Sequence, residues 1–187
     1  IPTPMFNILN GGKHANNNLN FQEFLVVPPK ANSYTKDLET GVECYFSLKE
    51  TLKSHNASIQ LGDEGGFAPA LYTNLDALKI MQAATERAGY KIGLDVFFSL
   101  DIAASHIEQG GVYRIKDKPV PLTASDLVEF YVSLNEQYHL LSLEDPYGED
   151  DWERWREITQ KLGDQMSIVG DDLIATKLER LEKAIEE

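Results

Sequence analysis

Three stretches of this chain close in the same way. Phe98-Ser-Leu-Asp101, Leu141-Ser-Leu-Glu144 and Ile168-Val-Gly-Asp171 are short apolar runs, each ended by one carboxylate. Runs of that length, set between helical patterns, are expected to be buried parallel strands. Carboxylates at the same end of neighbouring strands gather negative charge in one place. Folding leaves that charge uncompensated unless a hard cation sits there. Mg2+ takes oxygen ligands in an octahedron and keeps positions for water or substrate, so Asp101, Glu144 and Asp171 are expected to hold Mg2+. One such acid would more simply cap the helix after its strand; three at equivalent positions favour the metal. Asp145 and Asp172 follow two of them in sequence. Their side chains should point away from those of their neighbours, as helix caps or supports rather than ligands.

Gly62-Asp-Glu-Gly-Gly66 is the next group. Glycines on both sides let the backbone approach a ligand closely and leave Glu64 unshielded. A carboxyl so placed beside a metal-bound substrate suits general acid or base work; composition alone fits a solvated Gly-rich turn equally well. His14 lies in the loop Gly11-Gly-Lys-His-Ala-Asn-Asn-Asn18, which is too long for a tight turn and is either floppy or functional. A histidine there could close over a phosphate or carboxylate, though loop histidines are commonly just solvated. Gln22 and Glu23 follow; Glu23 interrupts an apolar strand and so faces a polar interior or a strand mouth. His55, His106 and His139 have no companions that suggest a role.

The elements that must position these groups begin with a β-hairpin, Met5–Leu9 with Gln22–Val27. A helix follows, carrying Leu38, Val42, Tyr45, Leu48 and Leu52 after a Ser33 cap. A second helix, capped by Asn74, carries Leu78, Met81, Ala84 and Ala88. Strand and helix then alternate: a strand at 96–101, a Gly110-Gly111 turn and a helix from about Thr123. A strand at 140–144 leads to a helix with Trp152, Trp155 and Leu162 on one face, and a strand at 166–171 leads to Leu178, Leu181 and Ile185. A β-β-α-α start followed by β-α units predicts an α/β fold of the TIM-barrel type, whose functional face lies at the C-terminal strand ends. Five strands are countable, so the expectation is a partial barrel, with an open doubly wound sheet as the alternative.

Bulk properties narrow the function. A 42% hydrophobic and 25% charged composition is that of a globular protein. The net charge of −13 disfavours a nucleic-acid partner, whose phosphates it would repel, and suits cation binding. Cys44 is the single cysteine, so no intrachain disulfide is possible; it is expected to be buried filler in a protein of a reducing, cytoplasmic setting. No apolar run has the length of a membrane span. The Ile1-Pro2 start suggests a piece of something longer.

Taken together, the segments resemble enolase (phosphopyruvate hydratase) over essentially the whole chain. Pro4-Met-Phe-Asn-Ile-Leu-Asn-Gly-Gly-Lys-His14, Asn17-Asn18 and Gln22-Glu-Phe24 resemble that family's first barrel strands and mobile histidine loop. Gly62-Asp-Glu-Gly-Gly-Phe-Ala-Pro69 resembles its most recognisable loop. Ser99-Leu-Asp-Ile-Ala-Ala-Ser105, Ser142-Leu-Glu-Asp-Pro146 and Val169-Gly-Asp-Asp-Leu173 resemble its three metal-ligand strands, in order. The resemblance implies reversible dehydration of 2-phosphoglycerate to phosphoenolpyruvate in glycolysis, with Asp101, Glu144 and Asp171 on Mg2+. It further implies Glu64 protonating the departing 3-hydroxyl, Gln22 and Glu23 orienting it, and His14 closing over the substrate. The family is commonly a homodimer or a higher homo-oligomer.

In that family the base for the C2 proton is a lysine on the strand after the one ending at Asp171, and Lys177 comes too early to be it. Residues 1–187 are therefore expected to be an incomplete C-terminal barrel domain, without the N-terminal α+β domain or the last strands, and inactive alone. A non-catalytic Mg2+-binding or interaction fragment is one competing expectation. An acid-sugar dehydratase of the wider superfamily is the other.

Overall fold

The computed structural model describes residues 2–29 and 33–187. Five strands form one sheet in the order β1-β2-β3-β6-β7: β1 Phe6–Asn10, β2 Glu23–Val27, β3 Phe97–Asp101, β6 Leu140–Glu144 and β7 Ser167–Val169. The first three pair antiparallel, and β3, β6 and β7 run parallel. Helices α1 (Tyr34–Ser54) and α2 (Asn74–Arg87) follow the opening hairpin, and α3 (Ala124–Tyr138) and α4 (Trp152–Leu162) connect the parallel strands. The short α5 (Asp171–Ile174) and α6 (Leu178–Glu186) come last. This is the expected β-β-α-α then β-α order in an α/β sheet, a partial barrel that does not close among the described residues. No described helix is long and apolar enough to cross a membrane.

Strand period sets the two faces of the sheet. Phe24, Leu100, Leu143 and Ile168 share one register row; the first three are buried and Ile168 packs partly buried against the same core. Leu48, Leu52, Leu78, Met81, Leu127, Tyr131, Ile158 and Leu162 bring the four long helices to this core. Truncating a residue such as Leu100, fully buried at the centre of it, should cost about 2–5 kcal/mol. The opposite face is more polar: Ser99, Ser142 and Ser167 lie in one row with Leu25, and the row beyond it is acidic.

The caps follow their chemistry. The Ser33 hydroxyl accepts from Lys36 N–H, and Thr123 with Asp126 forms a reciprocal capping box at α3. At α2 the cap is Thr73, boxed with Asp76, and Asn74 is the first helical residue instead. Its buried side-chain oxygen accepts from the Asn20 and Phe21 N–H groups and so fastens the end of the His14 loop.

Three further differences from the sequence expectation have clear causes. Gly110 and Gly111, at φ of +63° and +80°, close a two-residue turn between β4 (Glu108–Gln109) and β5 (Val112–Tyr113), a small hairpin too short to register as strands in the sequence. On α1 the buried face is turned towards Cys44, Leu48, Thr51 and Leu52, leaving Leu38 and Val42 exposed. Leu178, Leu181 and Ile185 of α6 are also exposed rather than packed.

Candidate active site

One register row crosses the whole sheet: Asn10 opposite Glu23, Glu23 opposite Asp101, Asp101 opposite Glu144, and Glu144 opposite Val169. A bulge in β1 between Asn7 and Leu9 brings Asn10 into this row. Residues opposite one another on adjacent strands project from the same face, so Glu23, Asp101 and Glu144 stand side by side at one edge of the sheet. Asp101 and Glu144 are the last residues of their strands; Glu23 is the first of an antiparallel one, which brings it to the same edge.

Carboxylate oxygens of Asp101, Glu144 and Asp145 all lie within 4.8 Å of one another. Burial is the main cause that pushes these carboxyls up, Asp101 to about 6, Glu144 to about 7 and Asp145 to about 6. Mutual repulsion adds to it: Asp101, Asp145, Asp171 and Asp172 all raise Glu144. Two hydrogen bonds hold Asp101, from Gln22 Nε2 to Oδ2 (3.1 Å) and from Ala103 N–H to Oδ1 (3.0 Å). The donor set is all oxygen, crowded and short of positive charge, which fits a hard divalent cation such as Mg2+.

The third sequence-predicted ligand is placed differently. Asp171 is exposed and begins α5, because β7 ends at Val169 rather than running on to it. Asp145 is the third carboxylate with an oxygen in the close cluster. Its carboxylate also accepts from the N–H groups of Asp172 (2.9 Å) and Leu173 (3.4 Å), so it does cap the start of α5 as its position suggested. It does so from a left-handed backbone, φ +43°, and Ala103, two residues past Asp101, is also left-handed at +49°. Non-glycine residues in that region cost of order 1–3 kcal/mol and persist where surrounding structure holds them.

A second cluster adjoins the first. His14 Nδ1 lies 3.1 Å from Glu23 Oε1 and 3.8 Å from Glu64 Oε1. Burial first, and contact with the Glu64 carboxyl second, push the Glu23 carboxyl up to about 8. The same contact lowers Glu64, so of the two carboxyls Glu23 is the one that favours the protonated form. Asp101 and Glu144 likewise raise Glu23 through their charge, which couples the two clusters.

The loops carrying His14 and Glu64 are pinned to β1 and to each other. Asn10 N–H donates to Phe67 O (2.8 Å), Phe67 N–H to Ile8 O (2.9 Å), and Asp63 N–H to His14 O (2.9 Å). Asn17 Nδ2 donates to Asn10 O (2.8 Å) and Asn7 Nδ2 to Glu64 Oε2 (3.1 Å). The His14 loop, Gly-rich and polar in sequence, is thus an ordered turn. Glycine is needed where the chains touch: a Cβ on Gly66 would sit 2.5 Å from Asn10 Oδ1, and one on Gly11 would sit 2.4 Å from Phe21 O.

Sequence reasoning missed Asn10 and Asn7. Asn10 is fully buried, and its Nδ2 and Oδ1 have no hydrogen-bond partner among the described residues. The only signal available was the position of Asn10 beside Gly11 at the end of an apolar strand. His55, His106 and His139 belong to neither cluster.

The family model described as Enolase, C-terminal TIM barrel domain matches residues 1–187.

Proposed function

The chain belongs to the enolase C-terminal TIM barrel domain family, and on that premise we propose that its acidic edge is the metal and acid half of a phosphopyruvate hydratase site. The observation that carries this reading is the row Glu23–Asp101–Glu144, which puts a proton-holding carboxyl pair beside a cation-hungry oxygen cluster. Mg2+ would be held by Asp101, Glu144 and Asp171; the last is near enough for its charge to raise Glu144. When bound, the ion supplies positive charge against the negative charge that builds on the substrate carboxylate as the C2 proton leaves.

The protein's own groups do the rest. The Glu23–Glu64 pair delivers its proton to the 3-hydroxyl of 2-phosphoglycerate, so that the C3–O bond breaks with loss of water rather than hydroxide. Asn7 holds Glu64 through Oε2, leaving Oε1 towards His14 and the substrate. Gln22 donates to Asp101, keeping that carboxylate aimed at the cation. His14 contributes a donor for the substrate phosphate or carboxylate. No group among these 187 residues is assigned as the base that takes the C2 proton. The expectation is therefore Mg2+-dependent substrate binding with negligible turnover by the chain alone. We place the protein in the cytoplasm, in a glycolytic role, as part of a homo-oligomer. The reduced state this implies suits Cys44, whose thiol burial pushes up to about 12.

Calorimetric titration with 2-phosphoglycerate tests the reading. Binding should need Mg2+ and should vanish in Asp101→Asn. Mg2+-independent binding, or preference for an acid sugar over the phosphorylated acid, would overturn it. Rapid turnover by the isolated chain would show that a base lies within it.

A further inference from the structure

Helix α5 opens without a local cap: the residue before it is Gly170, which has no side chain to offer its amides. The acceptors come from Asp145, 27 residues away from Asp172 in sequence. Its Oδ2 takes the Asp172 N–H (2.9 Å) and its Oδ1 the Leu173 N–H (3.4 Å). Asp145 is only 3% exposed, has a left-handed backbone and lies among the Asp101 and Glu144 carboxylates. Capping four residues contributes less than a buried carboxylate on a strained backbone costs, so the stability of α5 alone does not account for it. We propose that Asp145 is a positioning residue of the metal centre: through the start of α5 it sets where Asp171 stands relative to Asp101 and Glu144, without itself holding the ion.

The bonds around Asp145 divide by what a substitution would remove. Its N–H donates to Val169 O (2.9 Å), its carbonyl accepts from Ala104 N–H (2.9 Å), and Ile102 N–H donates to Glu144 O (3.0 Å). These backbone bonds tie the ends of β3, β6 and β7 together whatever the side chain at 145. The carboxylate adds only the hold on the first turn of α5, whose first residue is Asp171. Asp101 and Glu144 are placed by their ladder pairing. Asp171 is exposed and lies past the last pair of β7, Glu144 with Val169, so no ladder pair places it. A group that accepts from the amides next to a ligand orients that ligand from outside the coordination shell. The inference rests on the function proposed above, in which Asp171 is the third ligand.

The test is Mg2+ calorimetry on a charge-matched pair, Asp145→Asn and Asp145→Ala. Both lose the charge, but the asparagine oxygen can still accept the Asp172 N–H. In the otherwise unaltered chain, Asp145→Ala should bind Mg2+ about 10-fold more weakly than Asp145→Asn, the low end of what losing an orienting partner causes. Combined with Asp171→Asn, the two should agree within about 2-fold, because Asp145 then has no ligand left to position. Without metal, hydrogen exchange by NMR should show the Asp172 and Leu173 amides losing protection in Asp145→Ala and keeping it in Asp101→Asn. Circular dichroism checks folding; if Asp145→Ala does not fold, Asp145→Ser, with its shorter side chain, takes its place. A gap of the same size with and without Asp171 would make Asp145 a ligand or a general support and overturns the proposal. Equal affinities of the Asn and Ala variants, or amides that stay protected in Asp145→Ala, overturn it as well. Failure of Mg2+ to bind the unaltered chain would overturn the proposed metal centre and this role with it, whereas a failed comparison in a chain that binds Mg2+ overturns the role alone.

Discussion

The two clusters at the sheet edge are built by opposite means. Asp101 and Glu144 end neighbouring strands, and their spacing follows from the ladder that pairs them. Glu23 also stands on a strand, but its partners His14 and Glu64 ride on loops held by a handful of backbone bonds and by glycines packed against Asn10. The strand-borne cluster is rigid, buried and electrostatically costly. The loop-borne cluster is more exposed and holds a proton. A rigid charge site beside an adjustable proton site is the division expected where one must hold an ion in fixed geometry and the other must follow a reacting group.

The strongest way to separate them is with metal. Mg2+ at a hundred times its dissociation constant should add about 2.7 kcal/mol of stability, a rise in melting temperature of roughly 5–10 °C for a chain of this size. Asp101→Asn or Glu144→Gln should abolish that rise, and His14→Ala should not; differential scanning fluorimetry reads all three. Next in size is the loop scaffold. Gly66→Ala drives a methyl to within 2.5 Å of Asn10 Oδ1, and overpacking of that kind should cost about 1–3 kcal/mol in chemical denaturation while leaving the Mg2+ response of the strand cluster intact. An unchanged midpoint would show that the Glu64 loop is not seated on Asn10.

The pH response is smaller and has a definite sign. Asp101, Glu144 and Asp145 titrate at about 6, 7 and 6 in the fold, above the value of about 4 for unfolded carboxyls. These groups therefore contribute no penalty below about pH 4. Between pH 4 and 7 the unfolded chain ionises first, and stability is lost as pH rises. Metal-free melting temperature should fall across that window, more gently in Asp101→Asn, and Mg2+ should restore it above pH 7. A metal-free curve that climbs from pH 4 to 7 would mean that the cluster is not buried as described. The smallest effect belongs to Glu64→Gln. Glu64 is exposed, so stability should stay within about 0.5 kcal/mol of the parent. Glu23, relieved of its charged neighbour, should titrate lower, as followed by carbon-13 carboxyl shifts. No movement of Glu23 would break the coupling between them.

How far the sequence led depends on which region is read. Asp101 and Glu144 were legible because an apolar run closed by an acid is a strand-end signature, and the strands stop there. Asp171 was placed on a strand by the same pattern. The strand stops two residues short, since Gly170 and the pull of Asp145 on the Asp172 and Leu173 amides start a helix instead. Glu64 and His14 were legible as polar residues in glycine-containing loops, but not their closeness, which depends on the Leu9–Phe67 bridge between segments far apart in sequence. Beyond its place beside Gly11, the sequence did not mark Asn10 as the buried point where both loops rest, because an orphaned amide looks like any other asparagine. On α1 the helical period was right and the face was turned, since Leu38 and Val42 satisfy the same spacing as the residues that are buried.

The central claim is that the strand-end carboxylates share one hard divalent cation. Crystals of the chain soaked in Mn2+, which scatters anomalously and takes the place of Mg2+, test it most directly. A single strong anomalous peak about 2.1–2.2 Å from oxygens of both Asp101 and Glu144, the span expected for hard-cation bonds, is the predicted result. No peak between them, or manganese bound at His14 and Glu64 alone, would contradict it.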